Sequence, residues 1–305
     1  LIENTTLEYD IDHPLYLRGK NNQYVNSHFG NSSMFDDDPH AIFNFSGDKT
    51  RWYGSIMYLL NYDRLSNVVP MRAFEDLFLN QELLAKGPDL TATYLYEYAY
   101  AGMFSGCTAL EEVPQMAEPE YIDGSVFEGM FADCTSLTEG ILLGPSKGSV
   151  GFLSPSRAYR AMYIRCTSLR TVKTNFEYIP ITSYVFDAAF KDCIALEDIS
   201  WFKVNTTDIR GEGCFREMFT NCTSLTYVPD IQAGTIGTSS LSNTFEGCTN
   251  LVTAPRITAN FIGPKGCFEM FKNCTSLTSA PFIGPINLYT FVSGKLTAAT
   301  QCYEN

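Results

Sequence analysis

Ten cysteines and three histidines carry the nucleophilic and metal-binding potential of this chain of 305 residues. A cysteine nucleophile needs a base beside it, most often histidine, to hold its thiolate. His13, His28 and His40 all lie near the beginning, whereas Cys107, Cys134, Cys166, Cys193, Cys222, Cys248 and Cys274 recur beyond them at intervals of 26 to 32 residues. Equivalent nucleophiles spread along the chain cannot share three distant bases, so the spacing speaks against an enzyme. Zinc sites need close pairs such as C-x-x-C, and the sequence has none. A disulfide needs Cβ vectors that face each other, yet the same position in stacked repeats points the same way. What remains is a column of buried thiols, cysteine being among the most buried residue types. No catalytic residue, metal or cofactor is expected.

Three cysteines stand off this column. Cys214 is eight residues from Cys222, about 12 Å along a helix and too far to bridge. Cys267 and Cys302 fall near the same place in successive repeats and are the pair that bridging geometry favours if any pair is oxidised.

The elements that carry the cysteines follow from counting outward from each one. Three residues before it stand Phe78, Phe104, Phe131, Tyr163, Phe190, Phe219, Phe245 and Phe271, the first belonging to a copy in which Gln81 replaces the cysteine. Seven before stand Phe74, Tyr100, Phe127, Tyr159, Phe186, Phe215 and Leu241, with Phe268 one place off in the last copy. Apolar positions at −7, −4, −3 and 0 fit one face of a helix. Three after the cysteine comes an unbroken leucine column, Leu84, Leu110, Leu137, Leu169, Leu196, Leu225, Leu251 and Leu277. Pro88, Pro114, Pro229, Pro255 and Pro281 follow at +7, and proline cannot donate to an interior ladder, so the strand after each leucine must be short.

The expected fold is therefore α/β: a leucine-rich-repeat-like solenoid of about eight coils, each a short helix plus a short strand. One such unit cannot bury its own apolar side, and stacking completes the core. Parallel strands about 4.8 Å apart would make a rod or arc with a sheet roughly 35–40 Å long. Residues 1–70 carry no repeat and read as an N-terminal β-rich cap; residues 71–305 read as the solenoid. "TAATQCYEN" at the end looks like the opening of a ninth repeat.

Charge and hydropathy narrow the function. A net charge of −13 without a Lys/Arg cluster argues against nucleic acid, and no apolar run reaches the roughly 18 to 20 residues of a membrane span. The first residue is not methionine, which suits either a mature form after signal removal or a trimmed chain. "FDDDPH" offers Asp36, Asp37 and Asp38 to calcium, but adjacent acids lack the alternating spacing of a known calcium loop, and a solvated turn is the better reading. The N-x-S/T triplets at Asn221 and Asn273 sit beside core cysteines, where a glycan would oppose packing.

"MFSGCTALEEVP", "MFTNCTSLTYVP", "TFEGCTNLVTAP" and "MFKNCTSLTSAP" resemble the M-F-x-x-C-T-S-L-T-x-x-P repeat of the BspA-like leucine-rich repeats, found in surface proteins of gut and oral anaerobic bacteria and of some protists. "MYIRCTSLRTV" and "AFKDCIALEDI" depart from it by losing the proline. The resemblance covers about Met71 to Asn305. It implies a secreted or cell-surface bacterial protein for adhesion, non-enzymatic, whose partner is a protein or glycan on a host or bacterial surface. A structural or receptor-binding component of an extracellular assembly, such as a phage tail or fibre, is the second reading, and oligomeric state would separate the two.

Residues that vary between copies beside constant core columns are the natural contact set. Just after the leucine these are Glu111, Glu112, Glu139, Arg170, Glu197, Asp198 and Tyr227; a merely solvated edge is the competing reading. "TYLYEYAYAG" adds Tyr94 and Tyr96, tempting as an aromatic platform for sugars, whereas Tyr100 in the same run belongs to the −7 core column.

Overall fold

The computed structural model describes residues 43, 45, 48–60, 67–145, 155–175, 179–280, 282 and 283. The "FDDDPH" turn, the histidines, Cys302 and the "TAATQCYEN" run lie outside them, as do most residues of the expected cap.

The chain is a stack of coils, but not of helix-plus-strand coils. The single helix among the described residues is α1 (Met57–Leu60), ahead of the repeats. The ten residues up to each cysteine instead form a row of consecutive turns with a left-handed residue every fourth position. In the coil of Cys107 these are Tyr98, Gly102 and Gly106; in that of Cys222 they are Gly213, Glu217 and Asn221. The same places, −9, −5 and −1, are left-handed in all eight coils, with φ between +48° and +74°. Positive φ at the third residue of a turn is the type II signature.

Hydrogen bonds show why this row replaces a helix. Ala99, Ala101, Met103, Ser105 and Cys107 donate N–H to carbonyls three residues back at 2.9–3.2 Å. The alternate residues Tyr98, Tyr100, Gly102, Phe104 and Gly106 donate to Gly124, Val126, Glu128, Met130 and Ala132 of the next coil at 2.8–3.2 Å. A helix would spend all these donors within one coil; here half close turns and half join coil to coil, so the row of turns is also a parallel ladder. The helix expectation failed because −7, −4, −3 and 0 suits a four-residue turn period as well as 3.6.

Among the described residues two extended rows lie beside the row of turns. The first follows the leucine: β1 (Thr50–Arg51) pairs with β3 (Leu84–Lys86), and β6 (Glu139–Leu142) with β7 (Thr171–Thr174), all parallel. The second contains β2 (Val68–Val69), β4 (Tyr94–Leu95) and β5 (Tyr121–Ile122), and further on β8 (Asn205–Ile209), β9 (Ile231–Ile236) and β10 (Ile257–Ile262). Buried Pro88, Pro114, Pro229 and Pro255 sit at the corner between the rows, and no strand contains one. Where the proline is missing, β6 and β7 run straight through that corner. In the next coil, also without it, Ile199 to Phe202 make a tight turn, and Phe202 enters the core edge-on to Phe215 and Phe219, both 5.3 Å away.

The core is two stacks of rings and a stack of leucines. Phe78, Phe104, Phe131, Tyr163, Phe190, Phe219, Phe245 and Phe271 lie nearly parallel at centroid spacings of 5.2–5.7 Å. Phe74, Tyr100, Phe127, Tyr159, Phe186 and Phe215 form the second stack at 5.2–6.2 Å. In the last coil Cys267, not Phe268, takes the corresponding buried place, and Phe268 is half-buried beneath Lys265. At the other end Phe43 stacks on Phe78 at 5.5 Å, Trp52 meets Phe78 edge-on, and β1 joins the first extended row. The stack therefore continues upstream of the first repeat.

Candidate partner-binding face

The cysteine column is buried between coils and holds no disulfide among the described residues. Each thiol donates to the backbone carbonyl of the aromatic residue one coil earlier: Cys107 Sγ to Phe78 O at 3.0 Å, Cys193 Sγ to Tyr163 O at 3.0 Å, Cys222 Sγ to Phe190 O at 3.2 Å. That carbonyl already accepts the amide of its own coil's cysteine or, in the first coil, of Gln81. Gln81 caps the column: its Nε2 donates to Leu79 O, and its Oε1 accepts the Phe45 amide. Burial pushes the Cys107 thiol up to about 12 and those of Cys134, Cys193, Cys222 and Cys248 well above the ordinary range. Protonated thiols closed off from water can neither attack nor ligate. Among the described residues no group of three or more His, Cys, Asp or Glu side chains is placed to hold a metal ion.

Chemistry available to a partner is therefore on the surface. The residues that sequence variation singled out are all exposed on the first extended row, where the leucine before each anchors it to the core: Glu111, Glu112, Glu139, Arg170, Glu197, Asp198 and Tyr227. Sequence reading missed what binds them. Glu111 accepts from Lys49 Nζ at 2.7 Å and from Arg51, which together hold its carboxyl below the usual range. Glu112 pairs with Lys86 at 3.0 Å, Glu139 with Lys173 at 2.8 Å and Arg170 with Glu197 at 3.0 Å. The partners of Glu112, Glu139 and Arg170 lie one coil away and those of Glu111 two, so ion pairs join the coils as far as Glu112 and again from Glu139 to Glu197. The Asp198 carboxylate accepts the Ser200 amide at 2.7 Å and shapes the tight turn at the missing proline. In the last three coils the same row is uncharged, with Thr226, Tyr227, Val252, Thr253 and Thr278; Tyr227 is 60% exposed.

Tyr94 and Tyr96 lie elsewhere, on the second extended row. Cross-coil register places Val68, Tyr94 and Tyr121 side by side, their inward neighbours Val69, Leu95 and Ile122 being buried. The Tyr94 hydroxyl donates to Glu120 Oε2 at 2.8 Å, and the Tyr96 and Tyr121 rings are 5.4 Å apart. Tyr121 and Glu120 belong to this cluster, and neither lay in the run of alternating tyrosines. The available signal was register: Tyr121 follows its cysteine by nearly the interval that separates Tyr94 from Gln81. No helix among the described residues is long and apolar enough to cross a membrane.

No family model matches the sequence, and no curated protein matches it. Among solved structures, a leucine-rich repeat protein from Bacteroides ovatus is similar to this chain at 15% identity, covering 78% of this chain and 74% of its own, with a TM-score of 0.29. Superposition that loose carries no argument, and the repeat architecture described above rests on this chain's own stacked coils.

Proposed function

We propose that this chain is a non-enzymatic binding protein of the BspA-like leucine-rich-repeat kind, which meets a protein or glycan partner at a cell surface or in the extracellular space. The observation that carries the reading is the division of labour within each coil. Constant aromatic, cysteine and leucine positions are spent on the core, while the positions between them vary and are exposed in register on a long, regular surface. Repeat stacks of this kind offer extended surfaces to large partners. The motif resemblance supplies the cell-surface setting.

A glycan and surface-protein binding array with the purified chain, run beside light scattering, tests this. The expected result is saturable binding to at least one macromolecule, weakened when Tyr227→Ala or the double change Glu111→Lys with Glu139→Lys alters the first extended row. Absence of saturable binding together with a discrete closed oligomer would overturn the reading.

A further inference from the structure

We propose that Tyr94, Tyr96 and Tyr121, with Glu97, Glu120 and Asp123 around them, form a recognition patch for an arginine- or lysine-bearing segment of a partner protein. The inference deepens the binding reading above by naming one site and the chemistry that fills it.

The chain itself shows how it satisfies a tyrosine beside a carboxylate. The Arg72 guanidinium lies 4.2 Å from the Tyr98 ring centroid, and its Nη1 donates to both oxygens of Glu75 at 2.8 Å. Again, Arg216 lies 5.1 Å from the Tyr184 ring while its Nε and Nη2 grip the buried Asp187 carboxylate at 2.8 and 2.9 Å. Both are three-part units of ring, carboxylate and guanidinium, which combine cation–π attraction with charge-assisted hydrogen bonds.

At the β4–β5 surface two of the three parts are present and held in place. Tyr94 is fixed through Glu120, whose other oxygen accepts from Thr93 at 3.2 Å. Asp123 accepts the Gly124 amide at 2.8 Å and the Tyr121 hydroxyl at 3.4 Å. Tyr94 is 37% exposed and Tyr96 44%, whereas the aromatic residues of the two core stacks are buried. Among the described residues no arginine or lysine pairs with Glu97, Glu120 or Asp123. The local field is negative: the hydrogen bond and charge of Glu120 raise the Tyr94 phenol, while burial first and then the Asp123 charge raise that of Tyr121. A net charge of −13 extends that attraction outward. A neutral sugar would use the rings alone; a guanidinium or ammonium uses the rings and relieves the crowded carboxylates.

The test titrates a fluorescein-labelled Gly-Arg-Gly-Arg-Gly peptide into the full chain at low ionic strength, following anisotropy. Saturable binding is expected, weakened about threefold to fivefold by Tyr96→Ala, the loss of one exposed cation–π contact. Asp123→Asn combined with Glu120→Gln should weaken it further, while Tyr96→Phe, which keeps the ring, and Glu139→Gln, on the other row, should leave it unchanged. Equal losses in all variants, or none in any, would overturn the site. Displacement of the peptide by a neutral cello-oligosaccharide would overturn the cationic assignment in favour of a sugar. If a partner from the array binds the Tyr96→Ala chain unchanged and the peptide does not bind at all, this site falls while the binding reading stands.

Discussion

Tyr100, Tyr159 and Tyr163 occupy equally buried places in the two ring stacks, yet their hydroxyls meet different fates. Tyr159 donates to Leu143 O at 2.6 Å; Tyr163 donates to Ile141 O at 2.7 Å and accepts the Ile141 amide at 2.9 Å, pinning β6 to the core. The Tyr100 hydroxyl is fully buried with no hydrogen-bond partner. An unpaired buried polar group costs about 1–3 kcal/mol. Tyr100→Phe should therefore stabilise the chain by about 1 kcal/mol in urea unfolding, whereas Tyr163→Phe should destabilise it by about 1–3 kcal/mol by orphaning both Ile141 groups. A Tyr100→Phe chain destabilised as much as the Tyr163→Phe chain would show that the Tyr100 hydroxyl has found a partner in solution. Sequence placed all three tyrosines in core columns, but column membership says nothing about which hydroxyl finds a carbonyl, because that depends on a strand one wall away.

The row of turns makes a prediction opposite to that of a helix. Ala188 occupies a left-handed position at φ 55°, where a Cβ is strained. Ala188→Gly should stabilise the chain by about 1 kcal/mol; in a helix interior the same change would cost about that much. The converse is Gly129→Ala, at φ 61° with nothing near the added Cβ, which should cost about 1–2 kcal/mol from backbone strain alone. Gly106→Ala should cost more, because its Cβ would meet Asn80 Oδ1 at 2.2 Å. Thermal or urea unfolding ranks all three, and a destabilised Ala188→Gly chain would contradict the turn geometry. Repeat number, the core columns and the short parallel strands were legible because burial repeats at fixed offsets. The turn row was half legible: the −1 position is Asn, Asp or Gly in every coil except that of Arg165, a turn signal, while Glu217 and Ala188 at −5 carry no such mark. The ion pairs between coils were not legible at all, since Glu111 finds Lys49 and Arg51 some sixty residues away only through the β1–β3 pairing that stacking creates.

Across the whole stack the thiol column couples stability to alkaline pH. Each cysteine of the column stays protonated in the folded chain well past the point, near pH 8.5, at which an ordinary thiol ionises. Below that pH both states hold their protons and the full stability is present. Above it the unfolded chain releases protons that the folded chain retains, so stability falls by about 1.4 kcal/mol per pH unit for each such thiol. The loss continues until the folded thiols themselves ionise, about 11 for Cys214 and about 12 for Cys107. Cys134, Cys193, Cys222 and Cys248 act in the same direction, and the four together give a slope near 5–6 kcal/mol per pH unit. Since whole domains are stable by only about 5–15 kcal/mol, the melting temperature should be level from about pH 7 to 8 and then fall steeply, with unfolding complete between about pH 9.5 and 11. Cys222→Ala removes one ionising group, so its stability at pH 7 should drop while its alkaline slope becomes shallower by about 1.4 kcal/mol per unit. Scanning calorimetry across that range measures both effects. A melting temperature that stays level to pH 10.5, or rapid labelling of the native chain by iodoacetamide at pH 8, would mean that the thiols are open to water and that the coils do not close over them.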